Sequence, residues 1–122
     1  MKDSLYDPNN IFAKIIRGEI PCKKLDECLY TLTFFDINPQ APIHVLIIPK
    51  GSYVDMNDFS SRASIEEQAA FIAAIGRAAK LTGAFEGGYR IISNVGGFGH
   101  QEVPHLHAHL LLSLIHISEP TR

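Results

Sequence analysis

Residues 104–111 read Pro-His-Leu-His-Ala-His-Leu-Leu. The period is two, and it commits this segment to a β-strand, because an extended chain sends successive side chains to opposite faces. His105, His107 and His109 then share one face, and Leu106, Ala108 and Leu110 share the other. An apolar strand face must be buried, and a lone strand is not stable in water. The chain therefore has to supply both a sheet and a layer to cover it. With 122 residues, 46% of them apolar, it has enough for one small domain with a real core.

The covering layer is also legible. "SIEEQAAFIAAIGRAAKLTG" opens on Ser64 with Glu67 three residues on, a capping box, and closes on Gly83. Ile65, Ala69, Ile72, Gly76 and Ala79 form one stripe, widened by Phe71, Ile75 and Ala78. A short helix is expected between Ile11 and Gly18, where Ile11, Phe12, Ile15 and Ile16 share a face. Strands are expected at Leu29–Ile37, at Ile43–Pro49, in "GYRIISN" and in "VPHLHAHLL". "NPQAP" is a turn, since Pro39 and Pro42 cannot donate to a ladder, and "VGGFGHQE" is a glycine-rich loop. Residues 1–10 read as frayed or loosely packed. This order predicts an α+β fold: a mostly antiparallel sheet packed by one long helix and a short N-terminal helix.

Charge and composition exclude several function classes. The net charge is −2, from 11 basic and 13 acidic residues with no basic run, so no nucleic-acid partner is expected. No apolar run approaches about 20 residues, so no membrane partner is expected. The N-terminus lacks the apolar core of a signal peptide. Cys22 and Cys28 are too few for a disulfide framework, and their spacing is no usual metal pair. The expected compartment is the cytoplasm.

Three imidazoles at a strand's two-residue repeat lie about 7 Å apart. Like charges that close push each other's pKa down, so at least one should be neutral near pH 7. A neutral imidazole is a nucleophile, a base or a metal ligand. The pattern alone leaves three readings: a solvated strand face, a metal site, or nucleophilic and acid–base chemistry.

"HLHAHLL" resembles the signature of the histidine triad (HIT) family, three histidines alternating with apolar residues, with Ala108 as a small one. "IFAKIIRGEIPCK", "FFDINPQAPIHVLIIPK" and "RIISNVGGFGHQEVPHLHAHLL" are similar, in order and spacing, to the nucleotide-binding branch of that family. The likeness runs from about Asn10 to Leu111. It implies a hydrolase of purine nucleoside 5′-phosphoramidates, acting at the α-phosphorus. His107 would be the nucleophile and carry the nucleotidyl group, with His105 and His109 orienting it and donating to the phosphoryl oxygens. The same resemblance implies that Asp36 accepts the ribose hydroxyls, and that Phe34, Ile37, Ile11, Phe12 and Ile15 wall the base; periodicity alone reads those five as core. It implies phosphate and leaving-group contacts from Asn94 and Gln101, a fourth histidine at His44, a homodimer and no cofactor, and Gly99, His100 and Glu102 of the same loop are read as nucleotide-binding with them. Two neighbouring functions stay open: hydrolysis of dinucleoside polyphosphates, and nucleotide binding with little turnover.

The chain departs from the family in three places. Some members hold zinc through a Cys-x-x-Cys at the first helix; here those positions are Asn10 and Ala13, so no metal is expected. Better-known members have glycine where His100 stands and serine where Glu102 stands, and an ionised Glu102 accepts but cannot donate a proton. Last, "LSLIHISEPTR", Leu112–Arg122, resembles the in-frame translation of a sequencing adapter. The expectation is a single domain over residues 1–111, followed by a non-native tail over 112–122 in place of the natural ending.

Overall fold

Ser64 starts the longest helix as its sequence demands. Its hydroxyl accepts from the Glu67 amide at 3.0 Å, and the Glu67 carboxylate accepts from the Ser64 amide at 2.9 Å. The helix ends at Gly83, whose φ of 82° is the left-handed conformation that glycine adopts freely. In the computed structural model, which describes residues 6–112, this helix lies on a sheet. The chain runs α1 (Ile11–Ile16), β1 (Lys24–Glu27), β2 (Thr31–Phe35), β3 (Ile43–Pro49), α2 (Met56–Arg62), α3 (Ile65–Thr82), α4 (Ala84–Gly87), β4 (Arg90–Ile92) and β5 (Ala108–Leu112). The strand order is β1-β2-β3-β5-β4, and every neighbouring pair is antiparallel. This is the expected α+β architecture.

Strand β3 sits at the centre and separates two cores. Val45 and Ile47 face α3 with Leu106, Ala108, Leu110, Phe71, Ala74 and Ala78. Leu46 and Ile48 face the other way, with Phe12 of α1 and with Leu32 and Phe34 of β2. The strand's period of two does this sorting. Leu106, Ala108 and Leu110 therefore go where the alternation sends them, away from the histidines.

Several expectations need correction. The buried stripe of α3 is Phe71, Ala74, Ala78 and Ala79, whereas Ile65 and Ile72 are exposed. The helix has apolar residues on two flanks, and the flank with Phe71, Ala74 and Ala78 is the one that faces the sheet. The last strand begins only at Ala108. Ahead of it the His105 amide donates to the Val103 carbonyl and the Leu106 amide to the Tyr53 carbonyl, so these donors leave the ladder. Helix α2 was not expected; it is two polar turns capped by Asp55, and its buried Asp58 binds Arg62 at 2.6 Å. Strand β1 was not expected either; it pairs antiparallel with β2. Residues 6–10 are not frayed: Asn10 is buried and caps α1. Residues 1–5 and the expected tail beyond Leu112 lie outside the described residues; Leu112 itself pairs with Ile43. Among the described residues, no helix is long and apolar enough to cross a membrane.

These packing assignments predict a stability order. Phe71 is buried and packs on Phe59 at a ring distance of 5.2 Å, so Phe71→Ala should cost about 3–5 kcal/mol. Loss of the cap in Ser64→Ala should cost about 1 kcal/mol. Urea denaturation would measure both, and equal costs would refute the assignment of α3's buried face.

Candidate active site

Helix α1 covers the histidine face of the sheet because Asn10 stops its first turn from unravelling. The Asn10 side-chain oxygen accepts from the Ala13 amide at 2.9 Å. The helix brings Ile11, Phe12 and Ile15 to a cleft of about 620 Å³ whose lining also includes Phe34 and Leu46. Asp36 and Ile37, from the connection after β2, join the lining. So do Asn94, His100 and Glu102, from the loop after β4, together with His44, His107 and His109. The Phe12 ring stands edge-on to the His107 ring at 4.9 Å, and the rings of His107 and His109 are 5.0 Å apart. The imidazoles are thus closer than the strand repeat alone suggests.

Three expected site residues do not line this cleft. His105 has no exposed surface. Its Nε2 donates to the Pro49 carbonyl at 2.8 Å, and the Tyr6 hydroxyl donates to its Nδ1 at 2.6 Å. Both ring nitrogens are occupied, so His105 has none left for a phosphoryl oxygen, and its contribution to the site comes through its backbone. Gln101 is spent on holding its own loop: its Nε2 donates to the carbonyls of Val54 and Val103, and its Oε1 accepts from the Gly96 amide. At Gly99 a Cβ would meet the Val95 carbonyl oxygen at 2.3 Å, so that glycine permits a close backbone approach.

The remaining histidines have their tautomers set by their partners. A carbonyl only accepts, so His107 Nδ1, 2.7 Å from the His105 carbonyl, carries the proton and donates. In the neutral ring Nε2 is then a free lone pair. The Gln40 amide donates to His44 Nδ1 at 3.0 Å, so His44 carries its proton on Nε2. That Nε2 is 2.9 Å from His109 Nδ1 and 3.3 Å from Asp36 Oδ2. His109 accepts at Nδ1 and keeps its own proton on Nε2. Asp36 divides its oxygens: Oδ1 accepts from the Asn38 amide at 2.8 Å to hold the turn, while Oδ2 faces His44.

All four rings are held neutral, and the main cause differs from the expected one. Burial, more than mutual repulsion, pushes the pKa of His105 down to about 4 and that of His109 down to about 4. Burial likewise lowers His107, opposed by the hydrogen bond to the His105 carbonyl and by the charges of Asp36 and Glu102. It lowers His44 against the charge of Asp36. One oxygen of Asp36 and one nitrogen each of His44 and His109 lie within 4.8 Å of one another, a spacing that could hold a cation. The His44 nitrogen concerned is a donor while Gln40 occupies the other, so a cation there would have to compete with that hydrogen bond.

Sequence reasoning missed Leu46, Val103, Cys22 and Gln40 in the cleft lining, Tyr6 behind His105, and Ser93, whose hydroxyl donates to the His107 carbonyl at 2.8 Å. Only Leu46 had a signal: it stands two residues from His44 on one strand, and so on the same face.

Residues 17–113 match the HIT domain family. The chain is 61% identical over 105 residues to an uncharacterised 13.2 kDa HIT-like protein of Azospirillum brasilense, covering 86% of each chain. It is 44% identical over 103 residues to the purine nucleoside phosphoramidase of Escherichia coli, covering 83% of this chain and 84% of that one. The crystal structure of a HIT family hydrolase from Legionella pneumophila superposes with a TM-score of 0.82 at 40% identity, covering 93% of this chain and all of that one.

The pKa shifts carry a sign that can be checked. His105 and His109 are neutral in the fold down to about pH 4, but an unfolded chain takes up those protons near 6.5. Their contribution is full above pH 6.5 and is lost as the pH falls from 6.5 to about 4. NMR titration should find both rings changing charge near pH 4, and the urea midpoint should fall across that window. Titration of both rings near 6.5 would contradict the burial argument.

Proposed function

The chain belongs to the HIT domain family, and from that premise we propose a hydrolase that cleaves purine nucleoside 5′-phosphoramidates at the α-phosphorus. The observation that carries this reading is the hydrogen bond from His107 Nδ1–H to the His105 carbonyl. It leaves an unprotonated Nε2 on a neutral, cleft-lining ring, which is what a nucleophile requires. Attack by Nε2 gives a nucleotidyl-histidine and expels the amine; water then releases the nucleoside monophosphate. His109, with Nδ1 turned to His44, has Nε2–H available for the negative charge that develops on the phosphoryl oxygens. Asp36 accepts the ribose hydroxyls, and Phe34, Ile37, Ile11, Phe12 and Ile15 supply apolar walls for the base. Asn94, His100 and Glu102 belong to the leaving-group side. The phosphoramidase relative in Escherichia coli supports amine as the group expelled.

Both cysteines are free thiols, as the reducing cytoplasm in which we set this activity would keep them. The reading includes a homodimer. Ile65 and Ile72 of α3, Phe85 of α4 and Ile91 of β4 are exposed apolar side chains that a second copy could cover.

Two measurements test this. The purified chain, with chelator present, should release AMP from adenosine 5′-phosphoramidate. His107→Ala should lower the rate on the order of 10⁴-fold or more while AMP still binds. A rate lost to the chelator would replace this mechanism with a metal-dependent one, and binding without turnover would reduce the protein to a nucleotide-binding module. In sedimentation the chain should run as a dimer and Ile72→Glu as a monomer; a monomeric parent chain would remove the dimer from the reading.

A further inference from the structure

We propose that His100 is the general acid that protonates the departing amine. This deepens the phosphoramidase reading and rests on it. Among the described residues His100 is the one non-glycine with positive φ, at 62°. The left-handed region is free for glycine, and among other residues asparagine, aspartate and histidine enter it most often; the loop has glycines at 96, 97 and 99. The loop closes through its backbone: the His100 amide donates to the Gly97 carbonyl, and the Gln101 amide to the Gly96 carbonyl. Loop closure therefore gives no reason for an imidazole at position 100. The residue nevertheless lines the cleft with Glu102 and His107. A non-glycine kept at a left-handed, cleft-lining position of a glycine-rich loop points to a use for its side chain.

The reaction has an unfilled role. When the P–N bond breaks, its electron pair stays on nitrogen, and the amine cannot leave well without a proton. Other groups in the cleft are poor donors. The Nδ1–H of His107 is committed to the His105 carbonyl. The Nε2–H of His44 faces His109 and Asp36. His109 is held neutral by burial, and a neutral imidazole gives up its proton reluctantly. Burial also pushes the Cys22 thiol up. Asp36 and Glu102, when ionised, hold no proton. His100 lines the cleft and is exposed to water, and a protonated imidazole carries an N–H that it can give up.

The steps balance as follows. His107 Nε2 bonds to phosphorus, the P–N bond to the amine breaks, and the imidazolium of His100 gives its proton to the amine nitrogen. In the second step water bonds to phosphorus, the bond to His107 Nε2 breaks with its pair returning to the ring, and the proton lost by water returns to His100. The net reaction is phosphoramidate plus water to amine plus nucleoside monophosphate, with both histidines restored.

The backbone angle makes the test clean. Glycine suits φ of 62° better than histidine does, and asparagine tolerates it, so His100→Gly and His100→Asn should fold at least as well as the parent; thermal melts would verify this. Two substrates are compared by kcat/KM: adenosine 5′-phosphoramidate, whose amine needs a proton, and adenosine 5′-(4-nitrophenyl) phosphate, whose phenolate does not. In both variants the amine-to-phenolate ratio should fall about 100-fold or more. Rates that fall together, or an unchanged ratio, overturn the acid role and leave the phosphoramidase reading standing. A parent chain that hydrolyses neither substrate overturns both.

Discussion

Strand β3 has no face for water, and the rest of the molecule is arranged around that constraint. Every side chain from His44 to Pro49 is buried. A strand covered on both sides needs two different covers, and the chain provides α3 on one and α1 on the other. The helices differ in what they enclose. Helix α3 seals a dry core of aromatic and aliphatic side chains. Helix α1 is only six residues long, too short to seal its side fully, and the incompletely covered part of the sheet is the cleft. His44 is the polar interruption in β3, and its partners are the Gln40 amide and His109, so the strand's one polar ring extends the cleft's own network.

The chemistry of the cleft follows from backbone groups more than from neighbouring charges. An imidazole has two interchangeable nitrogens until something distinguishes them. A carbonyl at His107 Nδ1 and an amide at His44 Nδ1 make that distinction in opposite senses. One ring is left with a lone pair at Nε2 and the other with a proton there. Burial keeps all of the rings uncharged, which removes the repulsion that four crowded cations would suffer. The result is a row of neutral rings with defined donors and acceptors, a poor anchor for a static ion pair.

How much of this the sequence discloses depends on range. The alternation at 105–110, the cap at Ser64 and the stop at Gly83 are local, and local physics determines them. Which stripe of α3 is buried depends on which flank meets Val45 and Ile47 of the sheet, a tertiary choice that the helix period alone does not make. The early end of the last strand depends on a carbonyl of Tyr53 more than 50 residues away in sequence, and helix α2 is too short and polar to show a period. In the site, the side-chain types were legible at His44, His107, His109 and Asp36. The roles of His105 and Gln101 were not. Each is determined by which main-chain groups surround it, and a main-chain group leaves no mark in the sequence of the residue it engages.

Gln101 shows what such dependence costs in interchangeability. Its amide nitrogen feeds the carbonyls of Val54 and Val103, and its oxygen takes the Gly96 amide. Glutamate matches glutamine in length, shape and volume, yet it would turn a carboxylate oxygen toward two carbonyl oxygens with no hydrogen between them. The nearest isostere is here among the least acceptable replacements, because what the loop reads at position 101 is polarity at a single atom.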